Sequence, residues 1–297
     1  IIREAVSMGA DPIRAIRMGT LNAAAYFGLH DMGAVAPGYK ADLAVFDDLR
    51  TLNVKQVYKG GKLVAENGKM LHQKEKNTDW STEIKERVFH SFHRVPITVE
   101  ELQLKETTGT HQRVIDMVAH ELITKERIEE WKELPGVAPG VDISRDIVKL
   151  AAIERHKNTG HVGLGFLGKY GLKKGAVATS IGHDSHNLVI AGVTDEDMVL
   201  AGNRVIENGG GLAIALEGKV LADLLLPIGG LMADEPVEVV DEKLEHMKKL
   251  SVELGISEDI DAFMTLAFIS LPVIPKLRLN TYGVVDVEKH QVVEARF

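Results

Sequence analysis

Gly182-His183-Asp184-Ser185-His186-Asn187 is the chemically densest segment of this 297-residue sequence. Imidazoles, a carboxylate, a hydroxyl and an amide crowd together between two apolar runs, Ala176–Thr179 and Leu188–Ala191. Neutral imidazole can ligate a metal or shuttle a proton, and an adjacent carboxylate can orient it. His183, Asp184 and His186 are therefore the candidate catalytic residues. The competing reading is a hydrogen-bonded turn in which Asp184 and Asn187 cap backbone amides. Residue types alone leave both readings open.

Other patterns carry less chemistry. Gly163-Leu164-Gly165-Phe166-Leu167-Gly168 spells the G-x-G-x-x-G dinucleotide pattern, which works only between a strand and the helix opening on it. Lys157-Asn158-Thr159-Gly160-His161 before it is loop-like, and Lys169-Tyr170-Gly171 after it is a poor helix start. The expectation is a flexible glycine-rich loop with no cofactor. His90 and His93 stand in a polar stretch and read as solvated. Glu196, Asp197 and Glu207 read as the wet side of a helix, whereas Met198 and Met247 read as core. Leu271-Pro272-Val273-Ile274-Pro275 reads as an extended edge or a tight loop, because proline cannot donate to a central ladder. None of the 12 histidines forms a His-x-His pair, and neither a nucleophile elbow nor a Walker loop occurs.

The elements that must position these residues follow from composition and period. The length suits about two domains at ~150 residues each. Hydrophobic residues at 45% and charged residues at 26% fit a soluble globular protein. The net charge of −8 argues against nucleic-acid and anionic-membrane partners. No apolar run approaches the ~18 residues of a spanning helix. With no cysteine, disulfides, thiolate zinc sites and cysteine nucleophiles are excluded. A cytoplasmic location is expected. The chain opens on Ile1-Ile2-Arg3-Glu4 as though already inside an amphipathic helix, so it is expected to belong to a longer polypeptide.

Residues 1–30 read as two short helices, with Asp11-Pro12 as cap and first-turn proline. Residues 31–75 read as short antiparallel strands joined by Lys59-Gly60-Gly61-Lys62 and Glu66-Asn67-Gly68-Lys69. The composition turns polar from His72 to Arg94, placing a linker at 76–95. Residues 96–297 mix helical and strand periods, giving an α/β or α+β class. Within them, Ile143–His156 reads as a helix, and Ala176–Thr179 and Leu188–Ala191 as neighbouring strands buried on both faces. Asp195–Asn208 reads as a helix, Leu212–Leu216 with Lys219–Ala222 as a hairpin, and Val240–Leu254 as a helix closed by Gly255.

Two groups of residues carry a resemblance. Gly33-Ala34-Val35-Ala36-Pro37-Gly38-Tyr39-Lys40-Ala41-Asp42-Leu43-Ala44-Val45 resembles the G-x-(I/V)-x-P-G-x-x-A-D-(L/F) stretch of amidohydrolase-superfamily enzymes. There the chain re-enters a small β-sandwich after the last barrel helix, and Thr20–Ala25 resembles the helix before it. Arg155-His156, Gly163–Gly168 and Gly175–Asn187 are similar to the carboxy-terminal domain of bacterial adenine deaminases, and Phe268–Leu279 resembles that domain's closing segment.

The resemblance implies terminal barrel helices at 1–30, returning sandwich strands at 31–75, and a mixed α/β accessory domain at 96–297. It implies purine salvage, with adenine and water giving hypoxanthine and ammonia at a manganese or iron centre. The family's metal-binding histidines and carboxylates are expected upstream of residue 1. No metal ligand is therefore expected in this chain, which would be inactive alone. His183, Asp184 and His186 would serve as a lid or stand behind the residues that hold the metal. The implied partners are adenine, the amino-terminal barrel portion and further copies in a homo-oligomer. Two other readings stand beside this one. One is a non-catalytic binding or scaffolding protein that retains the accessory fold, and the other is a deaminase-like amidohydrolase for another nitrogen heterocycle.

Overall fold

The computed structural model describes residues 1–71, 80–105 and 108–297. Chain contacts divide them into two units, 1–79 and 80–297. In the first unit, α1 (Ile2–Ser7), α2 (Pro12–Arg17) and α3 (Ala23–Tyr26) are short, and a π-helical turn at Met18–Asn22 links the last two. The Asp11 carboxylate accepts from the Arg14 amide at 2.8 Å and Pro12 opens α2, as the sequence predicts. β1 (Leu43–Phe46), β2 (Val54–Lys59), β3 (Lys62–Glu66) and β4 (Lys69–Met70) then form an antiparallel sheet in sequence order. Asn67 and Gly68 take φ of 49° and 77° in the last turn, the left-handed pair that a tight hairpin needs.

The second unit begins in the polar stretch read as linker. Residues 72–79 of that stretch lie outside the described ones, but Thr82–Phe89 forms α4, with the Ser81 hydroxyl accepting from the Ile84 amide. The centre of the unit is an eight-stranded sheet. Its strands are β5 (His111–Met117), β6 (Thr124–Glu130), β7 (Ile147–Ile153), β8 (Val162–Gly168), β9 (Ala176–Thr179), β10 (Leu188–Gly192), β11 (Gly211–Leu216) and β12 (Lys219–Leu225). They are ordered β12-β11-β9-β10-β7-β8-β5-β6, and every pair is antiparallel except β5 with β8. α5 (Asp195–Glu207) covers one face. On the other lie α6 (Val237–Glu253), α7 (Ala262–Ile269) and a small sheet of β13 (Leu277–Asn280), β14 (Gly283–Asp286) and β15 (Gln291–Val293). The class is thus mixed α+β, with no closed barrel among the described residues.

Side-chain alternation separates two apolar cores across the sheet. Val148, Leu150 and Ala152 of β7 pack with Met247, Leu266 and Leu279, whereas Ala151 and Ile153 pack with Met198, Ala201 and Val205. Burial on both faces makes the central strands almost wholly apolar, with Lys149 of β7 and Thr179 of β9 as exceptions. β9 and β10 pair as expected, with Val189 opposite Thr179, and every residue of both is buried.

Three expectations fail here. Ile143–His156 is not a helix, because only a 3₁₀ turn at Ile143–Arg145 precedes the fully buried strand β7. The charged residues at its two ends imitate a helix boundary, and the Lys149 within it is held by Asp195 at 2.6 Å. Gly163–Gly168 is not a loop but lies in β8. A Cβ at Gly163 would stand 1.8 Å from the Asn280 carbonyl oxygen, so Gly163, with Gly165 beside it, lets the small sheet approach. Asp197 is buried rather than wet and accepts from the Gly218 amide at 3.2 Å, while Glu196 and Glu207 are exposed.

Candidate functional site

The pairing of β10 with β7 sets Leu188 opposite Ile153, so the end of β7 and the start of β10 share one end of the sheet. Residues 180–187 leave β9 and enter β10 there, carrying His183, Asp184 and His186 to the same place as Arg155-His156. The local fold is dictated by backbone bonds to neighbouring elements. The His183 amide donates to the Ala267 carbonyl of α7 at 2.8 Å, and the Ser270 hydroxyl donates to the His183 carbonyl at 3.3 Å. The His186 amide closes the turn on the Gly182 carbonyl at 2.6 Å, with His186 itself in the left-handed region at φ 49°.

Arg155 and His156 hold the outside of the turn. Arg155 Nε donates to the His186 carbonyl, and its Nη2 donates to the Gly229 carbonyl at 3.0 Å. The His156 ring nitrogen Nε2 lies 2.7 Å from the Ser185 carbonyl, which makes it the donor there. The Arg155 guanidinium also lies over the Phe92 ring at 4.9 Å. A Cβ at Gly230 would stand 2.7 Å from Arg155 Nη1, so only glycine fits beneath the cation. The expected caps do not make this turn: Asp184 is exposed, and Asn187 Nδ2 donates to the Ser185 hydroxyl instead.

Arg155 is 1% exposed, makes no ion pair among the described residues, and is pushed down to about 10 by burial. Burial also holds His186 below its ordinary value, helped by the charges of Arg155, His183 and His156 and opposed by Asp184. His186 is therefore neutral at pH 7. Its ring stands 6.2 Å from that of His183, which leans on Phe268 at 4.7 Å. Arg155 Nη1, His186 Nδ1 and Asn187 Oδ1 are buried with no partner among the described residues. A buried polar group left unpaired costs about 1–3 kcal/mol, so the hydrogen bonding of this tip is incomplete by itself.

The three sequence candidates thus do come together, and Arg155 joins them as the residue that sequence reasoning left without a role. Its signal was an arginine one residue beyond the end of an apolar run, after Glu154. His90 and His93 are exposed, with His90 Nδ1 2.8 Å from Glu86. Among the described residues, no three His, Asp or Glu side chains converge to hold a metal ion.

Comparison with known proteins follows the same division of the chain. Residues 121–291 match the family model for the adenine deaminase C-terminal domain, and residues 2–64 match that for the amidohydrolase family. Adenine deaminase 2 of Carboxydothermus hydrogenoformans is 44% identical over 294 residues, covering 99% of this chain and 50% of that protein. The adenine deaminase of Petrotoga mobilis is 42% identical over 290 residues, covering 98% and 50%. That of Lysinibacillus sphaericus is 40% identical over 291 residues, covering 98% and 49%. The chain spans about half the length of the curated relatives it matches.

Proposed function

Because the chain belongs to the adenine deaminase C-terminal domain family, we propose that it supplies the carboxy-terminal half of an enzyme converting adenine and water to hypoxanthine and ammonia. The observation that carries this reading is identity of 40–44% along nearly the whole chain to one half of proteins named adenine deaminase. In the reaction the water oxygen bonds to the amidine carbon and the carbon–amine bond breaks. One water proton leaves on ammonia and the other stays on the purine ring. Amidohydrolases carry out such steps with a metal, but the residues described here do not form a metal-binding set, so no metal step is assigned to them. Manganese or iron belongs, on this reading, to the portion of the relatives that this chain does not span. Purine salvage in the cytoplasm and assembly into a homo-oligomer are part of the same proposal.

The contribution of this chain is the tip at Gly182–Asn187. The imidazoles of His183 and His186 can pair with the ring nitrogens and exocyclic amine of a purine, with Asp184 beside them. Closing the tip over the substrate would also exclude bulk water from the reaction. The unpaired His186 Nδ1 and Asn187 Oδ1 support an unfinished site rather than a self-sufficient turn. The test is substrate profiling of the complete enzyme, following ammonia release and hypoxanthine formation. Turnover of adenine in preference to cytosine and guanine is expected. Turnover of another aminoheterocycle with none of adenine would overturn the reading.

A further inference from the structure

Buried cations in the second unit are compensated in recognisable ways. Lys149 pairs with Asp195 and Arg94 with Glu101, Arg155 lies over Phe92, and the half-buried Arg296 lies over Trp131 at 4.2 Å. Arg278 has neither device among the described residues. It is 1% exposed, donates only to the carbonyls of Leu277, Leu122 and Pro275, and keeps a buried Nε with no acceptor. Desolvation alone acts on it, pushing it down to about 10. Withdrawing a cation from water costs several kcal/mol unless an anion or a full set of acceptors replaces the solvent.

Arg278 lines a cavity of about 200 Å³ whose other walls include Met117, Leu122, Ile123, Met264 and Phe268. Glu121 stands at the rim, exposed. We propose that this cavity binds a small organic carboxylate, its charge facing Arg278 and its apolar body against the methionine, isoleucine and phenylalanine side chains. Only two guanidinium N–H groups, one on Nε and one on Nη1, remain without a carbonyl, and with the apolar walls they suit one carboxylate. A phosphate, with more acceptors and a higher charge, needs several donors. Phe268, which lines the cavity, also packs on the His183 ring at 4.7 Å, so a ligand here would touch a residue that supports the tip. The binding site itself does not rest on the deaminase reading.

The probe is benzoate, titrated into the full 297-residue chain while the methionine methyl groups are followed by NMR. Saturable shifts at Met117 and Met264 are expected, with benzyl alcohol at least about tenfold weaker. Equal affinity for benzyl alcohol, or no shift with benzoate, would overturn the proposal. Shifts from inorganic phosphate at lower concentration than benzoate would overturn the organic carboxylate as ligand. Arg278→Met should lose benzoate binding. Should that variant fail to fold, Met264→Trp, altered at the exposed rim, is expected to block the cavity and abolish the shift at Met117. A folded variant of either kind that binds benzoate as the wild type does would refute the assignment.

Discussion

Arg155 reaches the His186 and Gly229 carbonyls from 31 and 74 residues away in sequence, so one side chain ties the polar tip to the rest of its sheet end. Arg155→Met would strand both carbonyls, and hydrogen bonds to a charged group contribute about 1.5–3 kcal/mol each. Urea unfolding should show a loss of about 3 kcal/mol; an unchanged midpoint would show that water replaces the guanidinium freely. Truncating the imidazoles tests chemistry instead. In the complete enzyme, His183→Ala and His186→Ala should each lower kcat/KM by about tenfold, or ~1.4 kcal/mol, with melting temperature nearly unchanged. Wild-type kinetics in both variants would remove the tip from the reaction. The pH dependence has a definite sign. Burial and nearby cations lower the folded pKa of His186 below its ordinary value of 6.5, so the unfolded chain binds the extra proton first. Its contribution is fully present above that value and is lost as pH falls through it. In calorimetry the melting temperature of wild type should therefore fall relative to that of His186→Asn as the pH is lowered from neutral. The histidines were legible in sequence because polar density between apolar runs is a local property. Arg155 was not, because its importance depends on which end of which strand it leaves, and the charged residues at the ends of β7 imitate a helix.

Among the elements, β8 offers the sharpest contrast between sequence pattern and packing. Gly163→Ala would place a methyl 1.8 Å from the Asn280 carbonyl oxygen and 2.8 Å from the Gly283 nitrogen, both backbone atoms that cannot swing aside. Gly165→Ala would meet only side-chain methyls of Val284 and Leu279, at 3.0 and 3.2 Å. Overpacking of a filled core costs about 1–3 kcal/mol, so Gly163→Ala should fall in that range by urea unfolding and Gly165→Ala well below it. Equal losses would mean that the small sheet moves as easily as a side chain. This is also why the glycine pattern misleads: the need for glycine at Gly163 and Gly165 comes from β13 and β14, more than a hundred residues later in the chain. β9, β10 and the β11–β12 hairpin were readable because strand and turn residues there agree with short-range rules. β7 was not, since a short apolar run bounded by charges has no period that separates strand from helix. Only the partner of Lys149, Asp195 on α5, explains how a lysine can sit inside it.

At the scale of the whole molecule, the two units differ in how much apolar surface each buries. Among the described residues of 1–79, only Ala15, Ala24 and Leu52 are buried hydrophobics, while Tyr26 and Phe27 are 85% and 73% exposed. The second unit holds the two large apolar cores on either face of its sheet. Contiguous exposed apolar groups mark interaction surfaces, and the first unit matches the amidohydrolase family, whose model covers residues 2–64 here. On the proposed reading, other polypeptide would cover the exposed apolar groups of its strands and short helices. Removing residues 1–79 should leave the melting temperature of the second unit nearly unchanged and reduce the binding of a hydrophobic dye. A dye signal that stays with the second unit would place the unsatisfied surface there instead. On the proposed reading, catalysis should follow the same division, since the chain spans about half the length of its relatives. The 297-residue chain by itself should release no ammonia from adenine, even with manganese or iron added, and should gain activity when the amino-terminal half of a relative is supplied. Metal-dependent ammonia release by the chain alone, abolished by a chelator, would show that residues read here as a lid carry the reaction themselves.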